Sequence, residues 1–343
     1  VEAEAESRRE EVNFAMAAVV AGSEQGVVES VLADGSRVWQ ESGEDELEGG
    51  RLCRWTVVRG QSADQSVEWE EKYWETSDQW GYRELGAEKS GRDSTGGIWR
   101  EQWMESLDQD SKSGISRVER TASKWGSKAD GAKWQEEWAE EYYSDGRVDK
   151  SAYKWAVRAD GEIPEEGHAN VWHEKWGEKW DGKGRAIKYT DRWAERFADG
   201  TRGHQKWGEK WSQDFGEQGD RIGNRNGEAW QQNEGEMPYS RKWGEEHHAD
   251  YVRKFGGSTT GDGWDVNAAK DTWYEKYAHY GWDEAVRQSN ELLNVPLRRR
   301  DGGGLRKRGV TISLPEMPER AATDDRAGRG GLRAIDATVS DDE

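Results

Sequence analysis

Residues 172–180 read Trp172-His173-Glu174-Lys175-Trp176-Gly177-Glu178-Lys179-Trp180. The tryptophans stand four residues apart, with Glu174 and Glu178 midway between them. On a β-strand, residues i, i+2 and i+4 share a face. One face then carries Trp-Glu-Trp-Glu-Trp and the other carries His173, Lys175 and Lys179. A helix also brings i and i+4 together, but it turns the intervening glutamates to its far side. Gly177 at the centre and the aromatic richness favour the strand.

The pattern Trp-x-Glu-x-aromatic recurs from Trp69 to Tyr73, Trp99 to Trp103, Trp134 to Trp138, Trp138 to Tyr142, Trp193 to Phe197, Trp207 to Trp211 and Trp273 to Tyr277. Trp243 to His247 is a variant that ends in histidine. Such recurrence marks a repeat architecture. Composition agrees. The chain of 343 residues has 22 Trp, 42 Gly and a net charge of −20. Aliphatic residues are too scarce for one large core, and without its tryptophans the sequence would read as disordered. A broad, thin structure held by backbone hydrogen bonds and aromatic contacts is the expectation.

The acidic balance argues against nucleic acid or an anionic membrane as partner. No apolar run is long enough to span a bilayer. Cys53 is the only cysteine, so no intrachain disulfide can form. The sequence begins at Val1, and any targeting peptide is expected to have been removed or not included.

Four segments are expected: 1–38, a helical and linker segment whose helix lies within residues 1–22; 39–282, the Trp-rich sheet; 283–296, a short helix ended before Pro296; and 297–343, a disordered tail. That tail opens on Arg298, Arg299, Arg300, Arg306, Lys307 and Arg308, read as a solubilising linker.

Register is testable from the tryptophans. Suppose Trp99, Trp125, Trp134, Trp155, Trp172, Trp193, Trp207, Trp230, Trp243 and Trp273 each face the next across an antiparallel pair. The chain then reverses near Lys112, Asp130, Asp145, Pro164, Gly182, Gly200, Gly219, Met237 and Ser258. Nearly all of these lie in or beside turn-forming sequence such as Asp145-Gly146 and Asp181-Gly182. The same register sets Trp176 opposite Tyr189 and Tyr189 opposite Trp211. The fold class is therefore all-β: a single extended antiparallel sheet, a long-strand meander with aromatic stripes, short flanking helices and a disordered C-terminal tail. With strands about 4.8 Å apart, each stripe would be a nearly continuous ridge, and neighbouring ridges would lie roughly 13 Å apart. Glutamates would line the furrow. Lys188, Arg192, Arg196, Lys206 and Lys210 would occupy the other, polar face.

Flat indole faces suit the C–H faces of pyranose rings, and carboxylates accept hydrogen bonds from sugar hydroxyls. Repetition suits a long or ordered polysaccharide, to which many weak contacts bind together. The competing reading is structural: tryptophan stripes on a sheet are commonly core or cross-strand packing, and two such faces could pair as a sandwich or dimer. Burying so many interleaved carboxylates would be costly, which favours an exposed ligand surface. A glycoside hydrolase comes third, because no carboxylate pair is singled out. His168, His173, His204 and His279 lack metal-ligand spacing, and His247-His248 reads as a solvated pair. No cofactor is expected.

Together these features resemble the tryptophan-rich starch-associated family of plants and green algae, Early Starvation and Like Early Starvation. The resemblance rests on the repeated Trp-x-Glu-Lys-Trp strands, on Val67 to Tyr73 (Val-Glu-Trp-Glu-Glu-Lys-Tyr) and on Glu88 to Gly91 (Glu-Lys-Ser-Gly). It covers about 39–282. It implies a non-catalytic protein of the plastid stroma that binds amylopectin double helices and helps organise the starch granule. Carried over by motif, the glucan-binding positions are Trp99, Trp103, Trp125, Trp134, Trp138, Trp155, Trp172, Trp176, Trp180, Tyr189, Trp193, Trp207, Trp211, Trp230, Trp243, Trp273 and Tyr277. With them go Glu101, Glu136, Glu174, Glu178, Glu209 and Glu275. The Pro-rich tail expected of the Early Starvation branch is absent, which leans towards Like Early Starvation.

Overall fold

The computed structural model describes residues 27–165, 168–197, 204–216, 222–269 and 281–297. Sixteen antiparallel strands follow one another in chain order in a single sheet. They are β1 (Val28–Val31), β2 (Arg37–Leu47), β3 (Arg51–Gln61), β4 (Val67–Ser77), β5 (Arg83–Asp93), β6 (Ile98–Gln109), β7 (Ser116–Ser127), β8 (Lys133–Tyr143), β9 (Arg147–Val157), β10 (Val171–Asp181), β11 (Ala186–Arg196), β12 (Gln205–Phe215), β13 (Gly223–Asn233), β14 (Tyr239–His247), β15 (Tyr251–Ser258) and β16 (Gly263–Ala269). Two short helices follow, α1 (Trp282–Gln288) and α2 (Asn290–Asn294). The expected all-β meander is therefore the observed one. The first strand and the start of β2 fall inside the segment expected to be helix and linker. The expected helix within residues 1–22 and the expected tail from Arg298 onward lie outside the described residues.

Six of the nine expected reversals, near Lys112, Asp130, Asp145, Pro164, Gly182 and Met237, fall between strand bounds, and those near Gly200 and Gly219 lie outside the described residues. Asp-Gly pairs shape several of them. Gly146 and Gly182 take φ of 91° and 75°, a region where a side chain is strained. At the second of these turns the Asp181 carboxylate accepts the N–H groups of Lys183 and Arg185 at 2.7 and 3.0 Å. The Lys183 N–H contributes most to holding Asp181 below the usual carboxylate range. Ser258 is the exception. It ends β15, and the chain reverses twice between Trp243 and Ala269.

Among the described residues, 27–129, 137–147 and 281–297 form one compact unit, and 130–136 with 148–269 form the other. β8 is divided between them. In the first unit, Leu85, Leu292 and Val295 form a buried cluster with Trp103 and Leu107 packed against it, so α2 covers one end of a sheet face. Polar contacts pin the cover. Arg120 Nε lies 2.8 Å from a Glu105 oxygen, and Arg120 also donates to the Ala285 carbonyl and the Ser289 hydroxyl, each at 3.0 Å. Arg83 donates to the Val295 carbonyl and Ser77 to that of Pro296. In the second unit, the β9–β10 connection folds back over the sheet, and Ala169 packs with Ala194 and Trp207.

The register differs from the expected one by one residue, and this changes the faces. Trp172 pairs with Ala194, whereas Trp193 pairs with His173. Trp193 then pairs with Gly208, and Trp207 with Ala194. Trp99 pairs with Gly126 and Trp125 with Arg100. Directly paired residues share a face, so a one-residue slip turns a side chain to the other side. Trp172 and Trp207 therefore lie on one face and Trp193 on the other. Tyr189 pairs with Gly177 and Ser212, away from the face of Trp176 and Trp211. Trp230 pairs with Gly208 and Ser240, and Trp243 with Gly227 and Gly256.

Ring size against strand spacing explains the slip. An indole is wider than the roughly 4.8 Å between strands, so it lies across the neighbouring strand. The residue beneath must then be small. A Cβ on Gly227 would fall 2.3 Å from the Trp243 ring, and one on Gly177 would fall 2.5 Å from Tyr189. Gly43 lies under Trp55, Gly60 under Trp69, Gly86 under Trp74, Gly208 under Trp230, Gly244 under Phe255 and Gly256 under Trp264. This is aromatic cover of strand glycines.

Candidate functional site

The pairing arranges the aromatic side chains in rows that cross the strands, alternating with small residues. On one face of the first unit, one row runs Gly60–Trp69–Gly91–Trp99–Gly126 and the next runs Thr56–Tyr73–Ala87–Trp103–Ala122. Between them runs a charged row, Glu71–Lys89–Glu101–Lys124. In the second unit one face carries Trp176–Thr190–Trp211–Gly227–Trp243–Gly256–Trp264. Beside it stand Trp172–Ala194–Trp207 and, near the β10–β11 turn, Trp180. The opposite face carries Trp193–Gly208–Trp230. Aromatics thus recur every second strand, about 9.6 Å apart, instead of forming the nearly continuous ridge expected.

The motif glutamates sit between the rows and face cations. Glu71 meets Lys89 at 3.3 Å, Glu101 meets Lys124 at 3.6 Å and Glu136 meets Lys154 at 3.9 Å. Arg192 stands between Glu174 and Glu209, at 3.4 and 3.7 Å, and Lys188 lies 3.1 Å from Glu178. The same carboxylates steer rings on their own strand. The Tyr73 hydroxyl donates to Glu71 at 2.6 Å, and the Trp180 indole N–H donates to Glu178. Burial, then the Glu71 charge, pushes the Tyr73 phenol pKa far up. The expected segregation of cations onto a polar face is corrected. Lys188, Arg192 and Arg196 share the Trp172 face, and Lys206 and Lys210 share that of Trp193.

Burial divides the expected site residues. Trp99, Trp103, Trp125, Trp134, Trp138, Trp155, Trp176, Trp180, Tyr189, Trp193, Trp211, Trp230 and Trp243 are half-buried, with ring surface reaching solvent. Trp172 is 42% exposed, whereas Trp207 is only 5% exposed, beneath Ala169. Trp207 is core. Trp273, Glu275 and Tyr277 lie outside the described residues.

His173 is a member that the motif did not single out. Its imidazole stacks on Trp193, with centroids 4.5 Å apart and planes 8° apart, and lies 6.5 Å from Trp155. The Tyr153 hydroxyl and His173 Nδ1 hydrogen-bond at 2.8 Å. Here the rings of Trp155, His173 and Trp193 follow one another on consecutive strands. Burial holds the His173 pKa below its ordinary value of 6.5, against an opposing pull from Glu195. Below pH 6.5 the unfolded chain takes up a proton that the folded chain resists, so this group's contribution falls as pH falls. His173→Phe is expected to flatten the stability–pH slope below pH 6.5, measured by urea unfolding at stepped pH. An unchanged slope would show that the stack does not resist protonation. Phe255 and Trp264 were missed as well. Their signal is the glycine lying opposite each of them, Gly244 and Gly256.

A cavity of about 610 Å³ in the second unit is lined by residues of β11 to β15, among them Tyr189, Lys210, Trp211, Glu228, Trp243 and Phe255. Lys210 and Lys242 approach Glu228 at 3.1 and 3.5 Å. Burial works against ionisation of Glu228, but the two lysines outweigh it and hold its pKa below the usual carboxylate range.

Among the described residues, no group of three or more His, Cys, Asp and Glu side chains could hold a metal ion, and no helix is long and apolar enough to cross a membrane. No solved structure matches the chain. The family model described as Like early starvation, chloroplastic, matches residues 30–281. The Protein EARLY STARVATION 1, chloroplastic, of Arabidopsis thaliana is 43% identical over 272 residues, 79% of this chain and 60% of that protein. Its Marchantia polymorpha namesake is 43% identical over 284 residues, 82% of this chain and 46% of that protein. The Protein LIKE EARLY STARVATION, chloroplastic, of Arabidopsis thaliana is 42% identical over 285 residues, covering 82% and 48%. The chain spans about half the length of these relatives. The match over 30–281 and the identities of 42–43% place the chain in the Early Starvation and Like Early Starvation family of starch-associated proteins.

Proposed function

We propose that this chain binds ordered α-glucan, the double helices of amylopectin, without turning it over, and so helps organise the starch granule matrix. The carrying observation is the row in which half-exposed rings alternate with glycine, alanine or threonine. Each ring presents a flat face, and nothing tall stands between one ring and the next. A pyranose polymer offers C–H faces at repeated intervals, and weak contacts tethered in a row add up to firm binding. The binding region is 39–282. The paired glutamates hold the rings, and Glu101, Glu136 and Glu209 remain 44%, 42% and 49% exposed. A carboxylate accepts more than one hydrogen bond, which suits sugar hydroxyls.

The reading is non-catalytic. The described motif carboxylates Glu71, Glu101, Glu136, Glu174, Glu178 and Glu209 repeat along the sheet, each facing a lysine or arginine. By its relatives' names the chain works in the chloroplast, and by its proposed ligand at the granule. The test is co-sedimentation with starch granules against cellulose and soluble dextrin. Selective recovery with starch, and no release of reducing ends from amylopectin, is the expected result. Equal recovery with all three polymers would overturn the reading.

A further inference from the structure

The helical cover of the first unit crosses the strands in one direction on one face. Arg120 of β7 donates to the Ala285 carbonyl and the Ser289 hydroxyl, and Leu292 packs on Leu85 of β5. Arg83 of β5 donates to the Val295 carbonyl at 3.0 Å, and Ser77 of β4 to the Pro296 carbonyl at 2.8 Å. From Ala285 to Pro296 the chain therefore passes from β7 to β4. Next along that line come β3 and β2. Leu52 pairs with Ser77, and Glu46 with Leu52, so both stand on the face that the helices cover. Two strands is about 10 Å, a distance spanned by about three extended residues.

That end of the face is acidic. Glu44, Glu46 and Glu48 are exposed. Glu44 and Glu75 flank Arg54 in one row, and Arg54 lies 3.1 Å from Glu44. Burial pushes the Glu75 carboxyl above its ordinary range, against an opposing pull from Arg54. Arg83 is turned to the Val295 carbonyl, so Arg54 serves several carboxylates. Leu52, half-buried between Glu46 and Ser77, offers an apolar rest for an arginine stem. The sequence supplies the complement. Arg298, Arg299 and Arg300 follow Leu297 directly.

We propose that Arg298, Arg299 and Arg300 dock on the Glu44–Glu46–Glu48 end of β2 and β3 of their own chain, and so clamp the end of the helical cover. The basic run is then an anchor, where its composition alone reads as a solubilising linker. Exposed ion pairs are individually weak. Attachment at Pro296, already held by Ser77 of β4, keeps the arginines within reach of the carboxylates and makes the pairing intramolecular. Built from exposed charges, the clamp is sensitive to salt.

Limited trypsin digestion of the full chain, read by mass spectrometry, tests the clamp, because trypsin cuts after the docking arginines themselves. Cleavage after Arg298 and Arg299 is scored against cleavage after Arg326 in the same sample. At low salt this ratio is expected to rise about fivefold when Glu44→Gln, Glu46→Gln and Glu48→Gln are combined, and by a similar factor when the wild-type chain is moved to about 0.5 M salt. Glu46→Gln with Glu48→Gln leaves the Glu44–Arg54 pair intact and should raise the ratio about twofold. It changes exposed side chains only, and so carries the test even where the triple variant fails to fold. An unchanged ratio in the double variant would overturn the clamp, as would a wild-type ratio that salt does not move. Protection that falls on dilution of the chain would seat the arginines on a second copy and overturn docking within one chain.

Discussion

Trp207→Ala is expected to destabilise the second unit by roughly 3–5 kcal/mol, the usual cost of deleting a buried tryptophan. Trp207 is 5% exposed and packs between Ala194 of β11 and Ala169 of the β9–β10 connection. That connection is pinned over it. Arg196 donates to the Pro164 and Glu165 carbonyls at 3.0 and 3.3 Å, and the Asn170 side chain ties the Glu162 carbonyl to the Phe197 N–H, at 2.9 Å each. Without the indole, the connection would close over a void. Trp172→Ala, two strands away in the same row and 42% exposed, should cost about 1 kcal/mol or less. Trp207→Phe should cost far less than alanine. It keeps most of the volume, and the Trp207 indole N–H has no partner to lose. Urea unfolding followed by circular dichroism ranks the three variants. Equal stability of Trp207→Ala and Trp172→Ala would show that Trp207 is a surface ring after all.

The strands and most of the turns were legible because two signals of different origin agree. The tryptophan motif has a period-2 face, and Asp-Gly pairs recur where the chain must reverse. Register was not legible from the tryptophans alone. Matching like with like set Trp172 against Trp193, but rings that lie across a strand need glycine, alanine or threonine beneath them. The glycines held the missing information. Gly177, Gly208, Gly227, Gly244 and Gly256 each pair with an aromatic residue on the next strand, and aligning them yields the observed register. The β15 and β16 strands were hidden for the same reason. Phe255 and Gly256 belong to the ring-and-glycine pattern, which the Trp-x-Glu-x-aromatic motif does not mark. Burial of Trp207 had no local signal, because it depends on a connection between β9 and β10 that packs from outside the repeat.

Ring over glycine also explains how so few aliphatic residues hold a long sheet. Rings such as Trp69, Trp230, Trp243 and Trp264 lie on a strand glycine while remaining partly open to solvent. The side chain that stabilises the pairing is thus the one offered to a ligand. This sets a limit on any test of binding, because removing a row removes some stability with it. Threonine is the right replacement for that reason. It keeps strand propensity, and the strand partners of Trp176, Trp211 and Trp243 are small already.

Replacing Trp176, Trp211 and Trp243 together with threonine should therefore weaken granule binding strongly and leave the sheet folded. These three belong to one row, at every second strand, on one face. Trp172, Trp193 and Trp207, consecutive in the expected stripe, lie on two faces and include a core residue, so replacing them together would not report on one row. At roughly 1 kcal/mol for each aromatic contact, the row is worth about 3 kcal/mol, or about a hundredfold in affinity. The rows of the first unit, with Trp69 and Trp99, remain to hold the chain by avidity, so the observed loss should lie between tenfold and that figure. Each single threonine variant should lose about fivefold or less. Granule pull-down gives the affinity, and far-ultraviolet circular dichroism on the same samples reports the fold. A folded triple variant with unchanged binding would remove this face from the site. An unfolded one would assign the three rings to the sheet's own packing and leave binding to the rows of the first unit.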